Sequence, residues 1–465
     1  MLRFSSRRAV FFGRRNTRPL SATLFAICAI SASSALFNGD ALAAQPASEA
    51  TQAQPAPRDL KTSPERAAHH ERVLAIRAIG REMFLDPRLS ASGKQACASC
   101  HDPKNHFSPS NDLSVQLGGG KLNEAGTRNV PSLTYIHQVP MFVEHFHDSE
   151  EEGDDSLDAG PTGGLTWDGR VNRGSEQARI PLFNPAEMAN TDPADLIARI
   201  SKAPYADKIR GLYGAKVFDN TTTAMNAVLQ IFEFYEQTPE EFFPYTSKYD
   251  AFRLGRAKLS AQEEKGLRLF IAEDKGNCAS CHRFSLPATL PVFNDYGLIA
   301  LGVPRNPAIP ATHDKSYYDL GLCGPYRTDY KHHPEYCGLF RSPSLRNVAT
   351  RKSFFHNGVY HSLKEVLNFY VLRDVQPEKI YPRRADGSID QYNDLPKQYR
   401  ENLNMDPPFG GKPGDAPALS PDEIDDVIAF LNTLTDGYKP ESDPTQAAAD
   451  DKTAVAAKQA SAVAH

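Results

Sequence analysis

The chain has 465 residues, enough for two or three domains, and a formal net charge of −5. Its first 43 residues hold six Arg and one acid, a net of +5, which leaves −10 on the remainder. A mildly acidic chain of this kind is not a nucleic-acid binder, and its partners are expected to be basic, or small and neutral.

Arg3, Arg7, Arg8, Arg14, Arg15 and Arg18 make a basic start, residues 20–37 an apolar stretch, and Ala41-Leu42-Ala43 a small-residue cleavage site. That is the pattern of an export signal over residues 1–43. An uncleaved membrane anchor is the alternative, and the polar residues inside the stretch argue against it. No other segment approaches the ~20 apolar residues needed to span a bilayer. The mature protein is therefore expected in the periplasm, without membrane association. Residues 44–60 are Ala, Gln and Pro and read as a disordered leader.

A helix is expected over residues 64–84, with Ser63 as N-cap and Val73, Ile76, Ile79 and Phe84 as an apolar stripe. Cys97-Ala98-Ser99-Cys100-His101 follows it. Seven acids then crowd residues 148–158, either a solvated loop or a docking site for a basic partner or cation. Further helices are expected at 192–201 and 221–237. The next is announced by the capping box Ser260-Ala261-Gln262-Glu263 and leads to Cys278-Ala279-Ser280-Cys281-His282. Two more are expected at 362–373 and 420–434, the last opened by Ser420-Pro421-Asp422-Glu423. Residues 440–465 read as a disordered tail. Strand signals are few, and 35 Pro with 30 Gly imply long loops.

Each C-x-x-C-H is the signature of a covalently attached c-type haem, with the thiols taking the vinyl groups and the His binding iron. Half a zinc site or a redox dithiol is the alternative for a single copy. Two identical copies in an exported chain favour haem. Cys28 leaves with the signal, so Cys323 and Cys337 remain as an even pair in an oxidising compartment. They read as a disulfide closing a surface loop, with two free thiols as the alternative. The fold expected is mainly α: two cytochrome c-like haem domains, 61–245 and 246–439, with long loops and few short strands.

Six short motifs surround the two haem sites. They are Asp86-Pro87-Arg88-Leu89-Ser90, Thr127-Arg128-Asn129-Val130-Pro131-Ser132-Leu133, Trp167-Asp168-Gly169-Arg170, Asn184-Pro185-Ala186-Glu187-Met188, Ser342-Pro343-Ser344-Leu345-Arg346-Asn347-Val348 and Phe355-His356-Asn357-Gly358. In this order, residues 75–435 resemble the bacterial dihaem cytochrome c peroxidase family and, within it, the MauG-like enzymes.

The resemblance implies that the first haem is the peroxide site, with His101 as proximal ligand and Gln177, Pro181 and Glu187 over its open face. Glu187 would move the proton during O–O cleavage, and Gln177 would donate a hydrogen bond. Trp167, the chain's one tryptophan, would lie between the haems and relay electrons. The plainer readings are a surface or helix-cap acid for Glu187 and a core aromatic for Trp167. The second haem would have His282 on one side and, on the other, the residue fourteen after His356, which is Tyr370. Members carry Met or Tyr there, and Tyr marks the MauG-like branch. A thioether raises the potential, whereas a phenolate stabilises oxidised iron. The alternative is that Tyr370 faces the core while His361 or Met405 binds the iron.

Some members block the first iron with a loop His. Here no His lies between Phe107 and Ile136, which leaves His106, His137, His145 and His147 as the other blockers. The family also implies a calcium ion, with Asn129 and the carbonyls near Arg351 and Ser353 as ligands.

The function expected is that of a periplasmic enzyme with two haem c groups and one calcium ion. It would react with hydrogen peroxide and oxidise a donor, plausibly a partner protein. One rival is a peroxidase fed with electrons by a small cytochrome c or cupredoxin. The other is a non-catalytic dihaem electron-transfer protein.

Overall fold

The computed structural model describes residues 64–146, 159–284 and 290–439. The expected signal, leader, acidic segment and tail lie outside the described residues, as does His147. The helices are α1 (Pro64–Phe84), α2 (Gly174–Phe183), α3 (Pro193–Ile200), α4 (Ala206–Tyr213), α5 (Thr221–Glu236), α6 (Pro239–Phe242), α7 (Lys248–Arg253), α8 (Ala261–Ile271), α9 (Leu363–Leu372) and α10 (Pro421–Asn432). Among the described residues there are also short 3-10 turns and two antiparallel ladders of two residues per strand: β1 (Leu117–Gly118) with β2 (Glu124–Ala125), and β3 (Leu298–Ile299) with β4 (Phe340–Arg341). The chain is thus mainly helical with few short strands, as its composition suggested. Among the described residues, no helix is long and apolar enough to cross a membrane.

Sequence signals explain most of the helices. Ser260 and Ser420 accept from the amides of Glu263 and Glu423, and each glutamate reaches back to the serine amide, so both orphan donors are satisfied. Asn220 and Ser362 cap α5 and α9 in the simpler one-sided way. Helix α2 was not foreseen, because Pro181 sits inside it. Lacking an amide, Pro181 leaves the last turn without its bond to the Gln177 carbonyl, and Asn184 N closes the helix onto the Ile180 carbonyl.

The buried apolar side chains gather chiefly in two cores, one running from Ile76 to Phe242 and the other from Tyr249 to Leu434. Each core contains a helix crossing made by a glycine. A Cβ at Gly80 of α1 would strike Tyr235 of α5, and one at Gly266 of α8 would strike the Asp426 carbonyl and Phe430 of α10. Backbone can approach this closely only where no side chain intervenes. In both cores the glycine-bearing helix is followed by the haem motif, so the crossing fixes where the cysteines begin.

Long-range polar contacts join the two cores. Arg346 donates to both oxygens of Asp250 at 2.6 and 2.8 Å and to the Pro291 carbonyl, and its guanidinium lies 5.0 Å from the Tyr135 ring. Asp436 accepts from Tyr135 and from Asn347. Cys323 and Cys337 form a disulfide.

Candidate active site

Each C-x-x-C-H motif begins as a single 3-10 turn, Cys97–Ser99 and Cys278–Ser280. The first cysteine's carbonyl accepts from the histidine amide, at 2.9 Å for His101 and 2.8 Å for His282. This holds both thiols and the imidazole on one local surface. His101 Nδ1 donates to the Phe107 carbonyl at 3.2 Å, and His282 Nδ1 to the Phe293 carbonyl at 3.1 Å. A carbonyl can only accept, so Nδ1 carries the proton and Nε2 keeps its lone pair for a metal. Burial pushes both imidazoles down to about 4, so they are neutral at ordinary pH.

Two cavities open on these motifs, each of about 220 Å³. The first is walled by Cys97, Cys100, His101, Gln177, Pro181 and Glu187. The second is walled by Cys278, Cys281, His282 and Tyr370. Pro131, Ser132, Ile136, Trp167 and Arg341 line both. The motifs therefore face separate cavities and cannot pool their ligands into one zinc site. Equal, mostly apolar cavities suit two equal planar cofactors. Arg341, on the shared wall, and Arg351, on the second, make no ion pair among the described residues, and burial lowers both to about 10. Anionic propionates would supply the missing countercharge. The residues present fit two haem c groups.

Glu187 accepts from Asn184 Nδ2 at 2.6 Å through Oε1, which leaves Oε2 free. Burial raises its pKa above the usual carboxylate range. The stretch Gln116-Leu117-Gly118-Gly119-Gly120 runs against it. Gly119 N donates to the Glu187 carbonyl at 2.7 Å, and a Cβ on Gly118 would come within 2.8 Å of Glu187 Cα. The glycines are the reason this loop can lie so close. The Gln177 amide, on α2, makes no hydrogen bond among the described residues and lines the cavity.

Among the described residues, His101 is the one histidine lining the first cavity. His137 instead stacks on Phe243 at 3.8 Å, and His145 is exposed. His106 lines neither cavity.

Trp167 Nε1 donates to the Asn129 carbonyl at 2.7 Å, which fixes the indole on the wall between the cavities. Asp168, fully buried, pairs with Arg128 at 2.8 Å and Arg170 at 2.9 Å. Arg128 also pairs with Asp319 at 2.6 Å. The W-D-G-R turn is thereby tied to the second half of the chain.

Tyr370, on α9, stacks on Phe409 at 5.3 Å, and its hydroxyl makes no hydrogen bond among the described residues. The other two candidates stand elsewhere. His361 is exposed, with Nδ1 donating to the Lys352 carbonyl, and Met405 is 50% exposed with its sulfur on Arg373. Neither lines a cavity.

The surroundings of Asn129 do not suit a calcium ion. Its Oδ1 already accepts from Ser353 at 3.2 Å, and the Arg351 guanidinium lies 2.9 Å from the neighbouring Val130 carbonyl. Calcium is held by oxygen ligands, commonly carboxylates, and a guanidinium next door repels it.

Sequence reasoning missed Arg341 and Glu236. Glu236 is 4% exposed at the end of α5 and lines the first cavity, with Oε2 unpartnered. Burial lifts it to about 8. The signal was there: Glu236 follows Ile231, Phe232 and Tyr235 as the one acid on the buried face of α5.

A family model of di-haem cytochrome c peroxidases matches residues 75–258. The chain is 32% identical over 391 residues to the methylamine utilization protein MauG of Paracoccus denitrificans, across 81% of this chain and 93% of that protein. The chain belongs to the di-haem cytochrome c peroxidase family. Among solved structures it is similar to the diheme peroxidase BthA of Burkholderia thailandensis, at 36% identity and a TM-score of 0.69, covering 78% of this chain and 86% of that one. It is 29% identical to the cytochrome c551 peroxidase of Pseudomonas aeruginosa, over 77% of this chain and 78% of that protein. As a member of the di-haem cytochrome c peroxidase family, the protein is an oxidoreductase with two haem c groups.

Proposed function

We propose that this family member is a periplasmic MauG-like enzyme that reacts with hydrogen peroxide on the His101 side and shares the oxidising equivalents with the His282 side, to oxidise a donor, with a partner protein as the expected one. Its two cytochrome c-like domains would meet near residue 245. The observation that carries the reading is the contrast between two cavities with one common wall. Glu187 and a free Gln177 amide face the first, an unbonded Tyr370 hydroxyl faces the second, and Trp167 belongs to both.

When bound, haem supplies the iron that accepts oxidising equivalents from peroxide. The chain positions and protonates. Glu187 Oε2, left free by the Asn184 bond to Oε1, takes the proton from the near oxygen of peroxide and returns it to the leaving oxygen, so that water departs. A raised pKa makes this carboxylate a stronger base. The Gln177 amide donates to the substrate and orients it. Pro181 offers no amide proton and keeps that part of the wall apolar. Among the described residues, the absence of a second histidine on the first cavity supports peroxide entry in the resting state. Tyr370 supports a second site suited to holding oxidation rather than to accepting electrons from a carrier. No step depends on calcium.

Glu187→Gln tests the acid–base role. The peroxide reaction is expected to slow by about 10²–10⁴-fold. In the parent the rate should fall as pH drops through a pKa above the ordinary carboxylate range, because the protonated acid cannot accept the first proton. The Gln variant should lose that limb. An unchanged rate in stopped-flow absorbance would remove Glu187 from the mechanism.

A further inference from the structure

The loop closed by Cys323 and Cys337 carries a cluster that the reading above does not use. Tyr336 Oη donates to Glu144 Oε1 at 2.9 Å, and Tyr330 Oη donates to Glu144 Oε2 at 3.3 Å. One carboxylate thus serves two phenols. The two rings lie 5.6 Å apart, and His333 packs on both, at 5.5 and 5.6 Å. His145 Nε2 stands 3.8 Å from the same carboxylate and is 60% exposed. Tyr330 and Tyr336 are half-buried.

The cluster is joined to the wall between the cavities. Arg327 donates to the carbonyls of Asp168 and Gly169, the two residues after Trp167, at 3.1 and 2.9 Å. Its guanidinium lies on the Phe142 ring at 3.8 Å and on the Tyr330 ring at 4.7 Å. Phe142 packs against Gly169 and stands 5.6 Å from Tyr330. A continuous packed path therefore runs from the Trp167 turn through Phe142 and Arg327 to Tyr330, and on to Tyr336 at the surface.

Burial, with the Glu144 charge alongside, pushes the pKa of both phenols above the ordinary tyrosine value. Neither is a phenolate at ordinary pH, so oxidation must remove a proton together with the electron. Glu144 is placed to receive it.

We propose that Tyr330 and Tyr336, with Glu144 as proton acceptor, form the port through which an external one-electron reductant discharges the peroxide-oxidised enzyme. The inference rests on the peroxidase reading above. The oxidant is the dihaem centre after its reaction with peroxide. The Tyr336 O–H bond breaks, the electron travels by way of Tyr330 and the Trp167 turn to reduce that centre by one, and the proton forms an O–H bond on Glu144. The external reductant then returns one electron to the tyrosyl radical, and Glu144 returns the proton. Two such cycles consume the two equivalents from one peroxide.

The test is rapid-freeze electron paramagnetic resonance of the dihaem protein mixed with one equivalent of peroxide and no reductant, with haem absorbance recorded in parallel. The parent is expected to show a tyrosyl radical whose line shape narrows when ring-deuterated tyrosine is incorporated. Tyr330→Phe with Tyr336→Phe should abolish it while haem absorbance still responds to peroxide at the parent rate. Glu144→Gln, which leaves both phenols in place, should also lose the radical. A radical of undiminished yield in the double variant overturns the proposal, and so does a normal haem response without any tyrosyl signal in the parent. No haem response at all in the parent would instead remove the peroxidase reading, and the port with it.

Discussion

Tyr370 lines the second cavity and Glu187 the first, so two otherwise similar cavities present different groups. The two haem motifs have the same residues, the same turn and the same Nδ1-to-carbonyl bond, so the difference between the sites must come from the facing wall. In the second cavity that wall offers a hydroxyl with no protein partner. Tyr370→Met would exchange a hard oxygen donor for a thioether. The potential of the second haem is then expected to rise, measured by spectroelectrochemistry, and turnover with a reduced small cytochrome should appear. An unchanged potential would show that Tyr370 is not a ligand. At this scale the sequence was informative wherever chemistry demands a residue type at a fixed spacing, as with the cysteines and histidines of the haem motifs. It was silent on Arg341 and Glu236, whose importance lies only in which cavity they face.

Among the helices, the two glycine crossings carry the architecture. Gly266→Ala would drive a methyl group into the Asp426 carbonyl, and backbone cannot swing aside as a side chain can. A loss of about 1–3 kcal/mol is expected, read as a lower midpoint in denaturant unfolding of the dihaem protein. Gly211→Ala is the control, because that glycine sits in α4 with open space around it. It should be neutral or stabilising, by up to ~1 kcal/mol. Equal effects of the two substitutions would mean that the α8–α10 contact does not limit stability. Helix boundaries were legible where capping pairs wrote them, at Ser260 and Ser420. Helix α2 was illegible because Pro181 breaks the expected pattern, yet α2 carries both Gln177 and Pro181. The feature that hid the helix is part of the site it supports.

Across the whole molecule, the two cores are bound together where the chemistry must pass between them. The Trp167 turn is held by Arg128 and Asp168, with Asp319 from the second half on the same guanidinium. The Arg346–Asp250 pair, fully buried, sits against Tyr135 of the first half. A buried pair of this kind contributes little net stability, but losing one partner strands a charge, so it holds Arg346 where its guanidinium meets the Tyr135 ring of the first half. Such long-range pairings could not be read from the chain, because nothing local marks Asp319 as the partner of Arg128. On this reading the two cavities act as one oxidising unit without prior reduction. The measurement that tests it is a peroxide titration of the as-isolated, fully oxidised protein, followed by optical and near-infrared absorption. A long-lived change in both haems at about one equivalent of peroxide, with no reductant added, is the expected result. A protein that stays inert until one haem is reduced would contradict the account.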